Sequence, residues 1–168
     1  SAGEVFDKVA RHLGLPYPGG PQISKASAKT SSSSFKFPRP MINTNCYDFS
    51  FSGLKTRVTQ SVNKNILTEE LISNIAFDFE NAILDVLISK TLRAATDLNV
   101  DNIVISGGVS ANKRLRERFE NEKRNKNIFF PDIAFSTDNG AMIAYMGYLK
   151  YHKDIKSSLE INPSPSSR

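Results

Sequence analysis

Asn102-Ile103-Val104-Ile105-Ser106-Gly107-Gly108-Val109-Ser110-Ala111-Asn112 carries the reading of this chain. The β-branched run over 102–106 has the composition of a short buried strand, the diglycine ends it, and the pattern that follows predicts a helix over 112–124. Strand, diglycine and helix in that order bring backbone N–H groups and a helix N-terminus against a nucleotide. The spacing is not the dinucleotide fingerprint. Nor is Gly53-Leu54-Lys55-Thr56 a Walker A loop, because the required glycine spacing is absent. The pattern therefore predicts an α/β nucleotide-binding unit without choosing its ligand.

Downstream, a second strand is expected over 127–130, followed by the turn Phe135-Ser136-Thr137-Asp138-Asn139-Gly140 and a last helix to about residue 150. Asp138 has an ordinary explanation as a helix cap, its carboxylate accepting free N–H groups. The permissive Gly140-Ala141 and the second glycine turn upstream favour a carboxylate aimed at a ligand. Upstream, Thr68-Glu69-Glu70 opens the longest helical pattern, in which Leu71, Ile75, Phe79, Ile83 and Val86 form a core-facing stripe to which we assign no catalytic role. The alternation Tyr47-Asp48-Phe49-Ser50-Phe51-Ser52 predicts a half-buried strand turning at Gly53 into a helix near Leu54. Residues 2–13 read as a helix ended by Gly14. Pro16, Pro18 and Pro21 around Gly19-Gly20 predict an irregular loop, either a connection or a ligand loop. A Ser-rich surface excursion is expected over 24–36 and a flexible tail over 151–168, disordered from 162 onward.

Length and composition fit one domain: 168 residues, 39% hydrophobic. The charge is +5 and the pI about 9.4, which permits a polyanionic partner. Between Lys113 and Lys126 basic residues outnumber acids seven to three, read either as a solvated helix face or as a phosphate-contacting surface. The single cysteine, Cys46, cannot form an intrachain disulfide and suits a reducing compartment. No apolar run approaches the roughly 20 residues that cross a bilayer. The chain begins at Ser1 and runs straight into a helical pattern with no preceding strand, so a piece of a longer polypeptide is expected.

Four segments together resemble one family: Gly3-Glu4-Val5-Phe6-Asp7-Lys8 with Tyr17-Pro18-Gly19-Gly20-Pro21; Phe49-Ser50-Phe51-Ser52-Gly53-Leu54-Lys55-Thr56; Ser106 to Asn112; and Thr137-Asp138-Asn139-Gly140-Ala141-Met142-Ile143-Ala144. Their order and spacing are similar to the C-terminal half of the tRNA N6-threonylcarbamoyladenosine transferase (TsaD) family, in its bacterial and mitochondrial branch. The resemblance covers residues 1–150. It implies the C-terminal lobe of an actin-like, ribonuclease-H-related ATPase fold. The implied activity is transfer of a threonylcarbamoyl group from threonylcarbamoyl adenylate to N6 of the adenosine following the anticodon, in tRNAs reading codons that start with A.

Residue by residue, the resemblance implies that Asp138 is a ligand to a divalent metal, iron or zinc. It makes Asp7, Gly20, Gly107, Gly108 and Asn112 contacts to ATP or threonylcarbamoyl adenylate. It also makes tRNA the partner of the basic helix, with Arg116, Arg118 and Lys123 as candidate contacts. A metal completed by a His-x-x-x-His pair is implied too, yet the chain has only His12 and His152 and neither belongs to one. The expectation is that an N-terminal lobe completes the site and that this segment alone is inactive. A homodimer or partner subunits are also implied, without a membrane. The Asn- and Lys-rich composition inclines the location toward the mitochondrial matrix, with the cytoplasm as the alternative. Competing readings are another actin-like ATPase or kinase and a non-enzymatic assembly lobe. A metalloprotease would need a His-Glu-x-x-His motif that is absent.

Overall fold

The computed structural model describes residues 1–31, 34–158 and 160, in two units, Ser1–Ser136 and Thr137–Arg168. In the first, helix α1 (Ala2–His12) is capped by the Ser1 hydroxyl and buries Phe6, Val9 and Ala10. Gly14 ends it at φ +72°, a conformation that side-chain-bearing residues rarely adopt. Helix α2 (Gly19–Ser27) packs on α1 and buries Ile23 and Ala26. Helix α3 (Ser52–Asn63) turns Leu54, Val58 and Val62 inward.

Helix α4 (Glu69–Asp97) starts where Thr68 Oγ1 accepts the Leu71 N–H at 3.2 Å. Its stripe Ile75, Phe79, Ile83 and Val86 meets Phe6, Val9, Ile23, Leu54 and Val58 in one core, with Phe6 edge-on to Phe79 at 5.2 Å. Each such side chain contributes about 1.5–3 kcal/mol through apolar burial. At its C-terminal end α4 grips the segment 41–46. The buried Lys90 ammonium donates to Met41 O at 2.9 Å and Thr44 Oγ1 at 3.1 Å, and Arg93 donates to the carbonyls of Ile42, Thr44 and Cys46.

Strands β1 (Asn102–Val104) and β2 (Asn127–Phe129) pair in parallel, with Ile103 opposite Ile128. Helix α5 (Lys113–Glu122) crosses between them and joins α4 through Leu84, Ile88, Leu115 and Phe119. The unit is α/β with a small parallel sheet among its described residues, consistent with the expected fold class.

Two local expectations are corrected. The excursion expected over 24–36 begins inside α2, where Ser27 is 2% exposed, and the glycine-proline stretch before it opens that helix. Proline at 21 is tolerated because the first-turn N–H groups have no intrahelical acceptor to lose. Past the helix, the N–H groups of Ser34 and Phe35 donate to Asp78 Oδ2 at 2.8 and 2.6 Å. The strand expected over 47–52 is not formed: 47–51 have no regular structure and α3 already begins at Ser52. Alternation alone does not make a strand without a neighbour to complete its ladder. Phe49 and Phe51 stack on each other instead, and Tyr47 donates to Asp97.

The second unit contains helix α6 (Gly140–His152), along which Tyr145, Tyr148 and His152 form a ladder of ring contacts. The disordered tail expected from 162 lies outside the described residues. No described helix is long and apolar enough to cross a membrane.

Candidate nucleotide site

The diglycine turn is built as its composition predicts. Gly107 sits at φ +90°, in the region that favours glycine, and a 3-10 turn, Gly108–Ala111, follows. Its first N–H groups have no acceptor within the turn, and among the described residues none outside it, so they can meet an anion or a base edge. A cavity of about 310 Å³ opens beside it, lined by Gly107, Gly108 and Ser110 together with the apolar Leu87, Ile105 and Phe119. That is the size and the mixture of a small-molecule site. Ser110 Oγ, in a residue 1% exposed, has no hydrogen-bond partner among the described residues.

Asn112 closes the turn and caps α5: its Oδ1 accepts the Leu115 N–H at 2.8 Å. Its Nδ2 donates to Ser24 Oγ at 3.0 Å and to Glu80 Oε1 at 2.8 Å. Glu80 is 1% exposed and also accepts the Ser24 hydroxyl at 2.7 Å, while Arg114 lies 3.5 Å from its second oxygen.

Asp7, on α1, accepts the Gly19 N–H at 2.8 Å and so places a carboxylate on the N-terminus of α2, which has no side-chain cap of its own. The second Asp7 oxygen has no partner among the described residues and remains available to a ligand hydroxyl. Gly20 is the next residue, with open space where a Cβ would stand, whereas a Cβ on Gly19 would meet Asp7 Cα at 2.6 Å. Asp7 and Gly20 are thus joined at one end of α2, and Asn112 is joined to the same helix through Ser24. Gly107 and Gly108 share the turn that Asn112 closes.

Asp138 belongs to the second unit. The capping role that would explain it is taken by its neighbour: Asn139 Oδ1 accepts the Met142 N–H at 2.9 Å. Asp138 is left exposed, without a hydrogen-bond or ion-pair partner among the described residues. Among those residues no group of three His, Cys, Asp or Glu side chains could hold a metal, so Asp138 offers a single carboxylate and does not by itself make a metal centre.

The basic helix is less free than its charge suggests. Arg116 donates to Ser110 O at 2.7 Å and Pro131 O at 2.8 Å, and its guanidinium lies 4.8 Å from the Phe130 ring centre. Arg118 pairs with Asp85 at 2.7 Å and Glu122 at 2.8 Å. Burial alone would lower the Arg118 pKa, but its hydrogen bonds to Glu122 and Asp85 outweigh that and hold it above the ordinary value. Lys123, in an i,i+3 pair with exposed Glu120, and Lys113, in an i,i+4 pair with Glu117, keep charges that exchange readily with solvent. Arg116 is taken up by main-chain carbonyls and Arg118 by neighbouring carboxylates, which the count of charges did not reveal.

Sequence reasoning passed over Glu80, Ser24 and Gly19. A signal for Glu80 was present: Asp78 and Glu80 are carboxylates inside the most apolar stretch of α4, and fully buried charges are almost always paired. Nothing in the sequence pairs Ser24 with residues 56 and 88 positions away.

A family model described as tRNA N6-adenosine threonylcarbamoyltransferase matches residues 1–145. Proteins of that name are similar to nearly the whole chain. The Thermosipho africanus protein is 47% identical across 99% of this chain and 51% of its own length. The Sulfurihydrogenibium protein is 46% identical across 100% and 49%. The Ralstonia pickettii protein is 45% identical across 92% and 46%. The chain spans about half the length of the curated relatives it matches.

Proposed function

The chain belongs to the tRNA N6-adenosine threonylcarbamoyltransferase family, and from that premise we propose that it is the C-terminal, nucleotide-binding lobe of a tRNA-modifying acyltransferase of actin-like fold. The donor in this reading is threonylcarbamoyl adenylate and the acceptor N6 of the adenosine following the anticodon, in tRNAs reading A-starting codons. The observation that carries it is the Gly107 turn beside its cavity, tied through Asn112 to the helix that Asp7 caps. The adenosine lies against the backbone of Gly107 and Gly108, where no side chain intervenes. Asp7 accepts ribose hydroxyls through its free oxygen, and Gly20 leaves room for the sugar. Fixing the adenylate in this way leaves the acyl carbon as the point of attack: the N6 amine adds, the adenylate departs, and the amine loses a proton.

Asp138 is proposed as the carboxylate that this chain contributes to a divalent metal, iron or zinc. A divalent metal there would need at least two further ligands beyond the described residues, and none of these steps runs through one. An N-terminal half carrying such ligands, a second copy or partner subunits, and a mitochondrial matrix location belong to the same reading; cell fractionation tests the last of these.

The deciding experiment measures transfer of labelled threonylcarbamoyl to an A-codon tRNA by the native-length protein and by its Asp138→Ala and Asn139→Ala variants. Asp138→Ala should abolish transfer with an unchanged unfolding midpoint, because the side chain has no partner among the described residues. Asn139→Ala should cost about 1 kcal/mol of helix stability through its lost cap. Full activity in Asp138→Ala would refute the assigned role, and a wild-type protein without transfer would refute the reading as a whole.

A further inference from the structure

Glu80 is a carboxylate 1% exposed, in the middle of a core helix, and burying a charge there is costly unless it is paired and hydrogen-bonded. Its partners are two hydrogen-bond donors on one oxygen and a guanidinium beside the other. Oε1 accepts Ser24 Oγ from α2 at 2.7 Å and Asn112 Nδ2 from the end of the diglycine turn at 2.8 Å. Arg114, in the first turn of α5, lies 3.5 Å from Oε2, donates to Ser27 Oγ at 3.2 Å and covers the Phe77 ring at 4.5 Å. Two segments far apart in sequence, around Ser24 and over Asn112–Arg114, therefore meet on one carboxylate of α4.

The consequence falls on Asn112. Its two amide hydrogens go to Ser24 and Glu80, and its oxygen goes to the Leu115 N–H, so the side chain has no donor left over. A direct amide contact to a nucleotide would require breaking one of these buried bonds. Helix α2 is meanwhile held at both ends: Asp7 fixes Gly19, and Ser24 and Ser27 are fixed by Glu80 and Arg114.

We infer that Glu80 is a positioning residue for nucleotide binding: it locks Asn112 and Ser24 so that the Gly107-Gly108 turn and the Gly20 end of α2 are held at one fixed separation, and Asn112 serves the ligand through that lock rather than through its own amide. The inference rests on the nucleotide-binding reading above and names which residue sets its geometry.

The test uses ATP as probe, with calorimetric binding and steady-state transfer on the native-length protein. Glu80→Gln removes the charge shared by both donors and turns an NH2 donor either toward them or toward the Arg114 guanidinium. It should weaken ATP affinity tenfold or more and raise KM for the adenylate correspondingly, while kcat at saturation stays within twofold. The paired exchange Glu80→Gln with Asn112→Asp reverses the polarity of the bond and conserves total charge. The amide introduced on α4 then donates to the carboxylate introduced at the end of the diglycine turn, Ser24 bridges the two, and that carboxylate still accepts the Leu115 N–H. Affinity should return to within about threefold of wild type.

A Glu80→Gln variant that binds ATP as tightly as wild type overturns the inference. So does an exchange variant that folds and fails to recover, since that outcome assigns the ligand contact to the Asn112 amide itself. If Glu80→Gln does not fold, the exchange variant decides alone. Wild-type protein that binds no nucleotide removes the functional reading and this inference together, whereas tight wild-type binding with an indifferent Glu80→Gln removes the inference only.

Discussion

Gly19→Ala is the sharpest perturbation of the α1–α2 contact, because its consequences follow from three distances. A Cβ at this position would stand 2.6 Å from Asp7 Cα, 2.7 Å from Ala10 Cβ and 2.9 Å from Phe6 O. Carbon atoms rest at about 3.5–4.0 Å, so the helices must separate by roughly 1 Å, and the atoms in the way are mostly backbone rather than flexible side-chain ends. Overpacking of this kind costs about 1–3 kcal/mol. The same movement stretches the 2.8 Å bond from Gly19 N–H to Asp7, and a hydrogen bond to a charged group is worth about 1.5–3 kcal/mol. Alanine returns up to about 1 kcal/mol of helix propensity, which leaves a net loss of about 1.5–5 kcal/mol. At a urea slope of about 2 kcal/mol per molar the midpoint should fall by about 0.8–2.5 M. Gly20→Ala is the matched control, since nothing lies within 4 Å of its new methyl. Its midpoint should hold, and any effect should appear in nucleotide affinity instead. A Gly19→Ala midpoint within about 0.2 M of wild type would refute the reasoning, because the helices could not then be as close as described.

Arg116→Ala should lower stability by about 2–3 kcal/mol, through two lost carbonyl partners and a lost ring contact. The salt slope of tRNA binding should stay unchanged, whereas a phosphate contact would reduce that slope by about one. Lys90→Met keeps the aliphatic stem but leaves the Met41 carbonyl without its donor; a loss of about 1–3 kcal/mol and faster proteolysis within 41–46 are expected. Tyr47 donates to Asp97, and that hydrogen bond holds its pKa above the ordinary tyrosine value. A raised folded pKa stabilises below the unfolded value of about 10 and loses that contribution as pH rises through the folded value. The gap in urea midpoint between wild type and Tyr47→Phe should accordingly be flat near neutrality and shrink in the alkaline range.

What the sequence disclosed, and what it withheld, follow from the range of the interactions concerned. Thr68 before two glutamates and a repeating apolar stripe announced α4, because capping and amphipathicity are local. The positive-φ turn at Gly107 was legible for the same reason. Helix α2 was hidden because prolines and glycines read as breakers wherever they stand, although a helix's first turn accepts them; the buried face of Ile23 and Ala26 decided the matter. The strand expected at 47–52 failed on the converse ground, since a strand is a relation between segments. Arg116 and Arg118 looked like surface charge because a one-dimensional count cannot show that their acceptors are the carbonyl of Pro131 and the carboxylate of Asp85. The Glu80 lock joins positions 24, 80 and 112, and only the fold brings them together.

Lys90 and Arg93 have a consequence for how this segment can drift over generations. Four of their five acceptors in 41–46 are main-chain carbonyls, which every amino acid possesses, and only Thr44 contributes a side chain. Substitutions at Asn43 or Asn45 leave that grip untouched provided the backbone keeps its path, whereas Ile42 also packs against the core. The two cations therefore act as a template for a shape rather than for a spelling. Side chains at Asn43 and Asn45 can change while the segment's course across α4 stays the same.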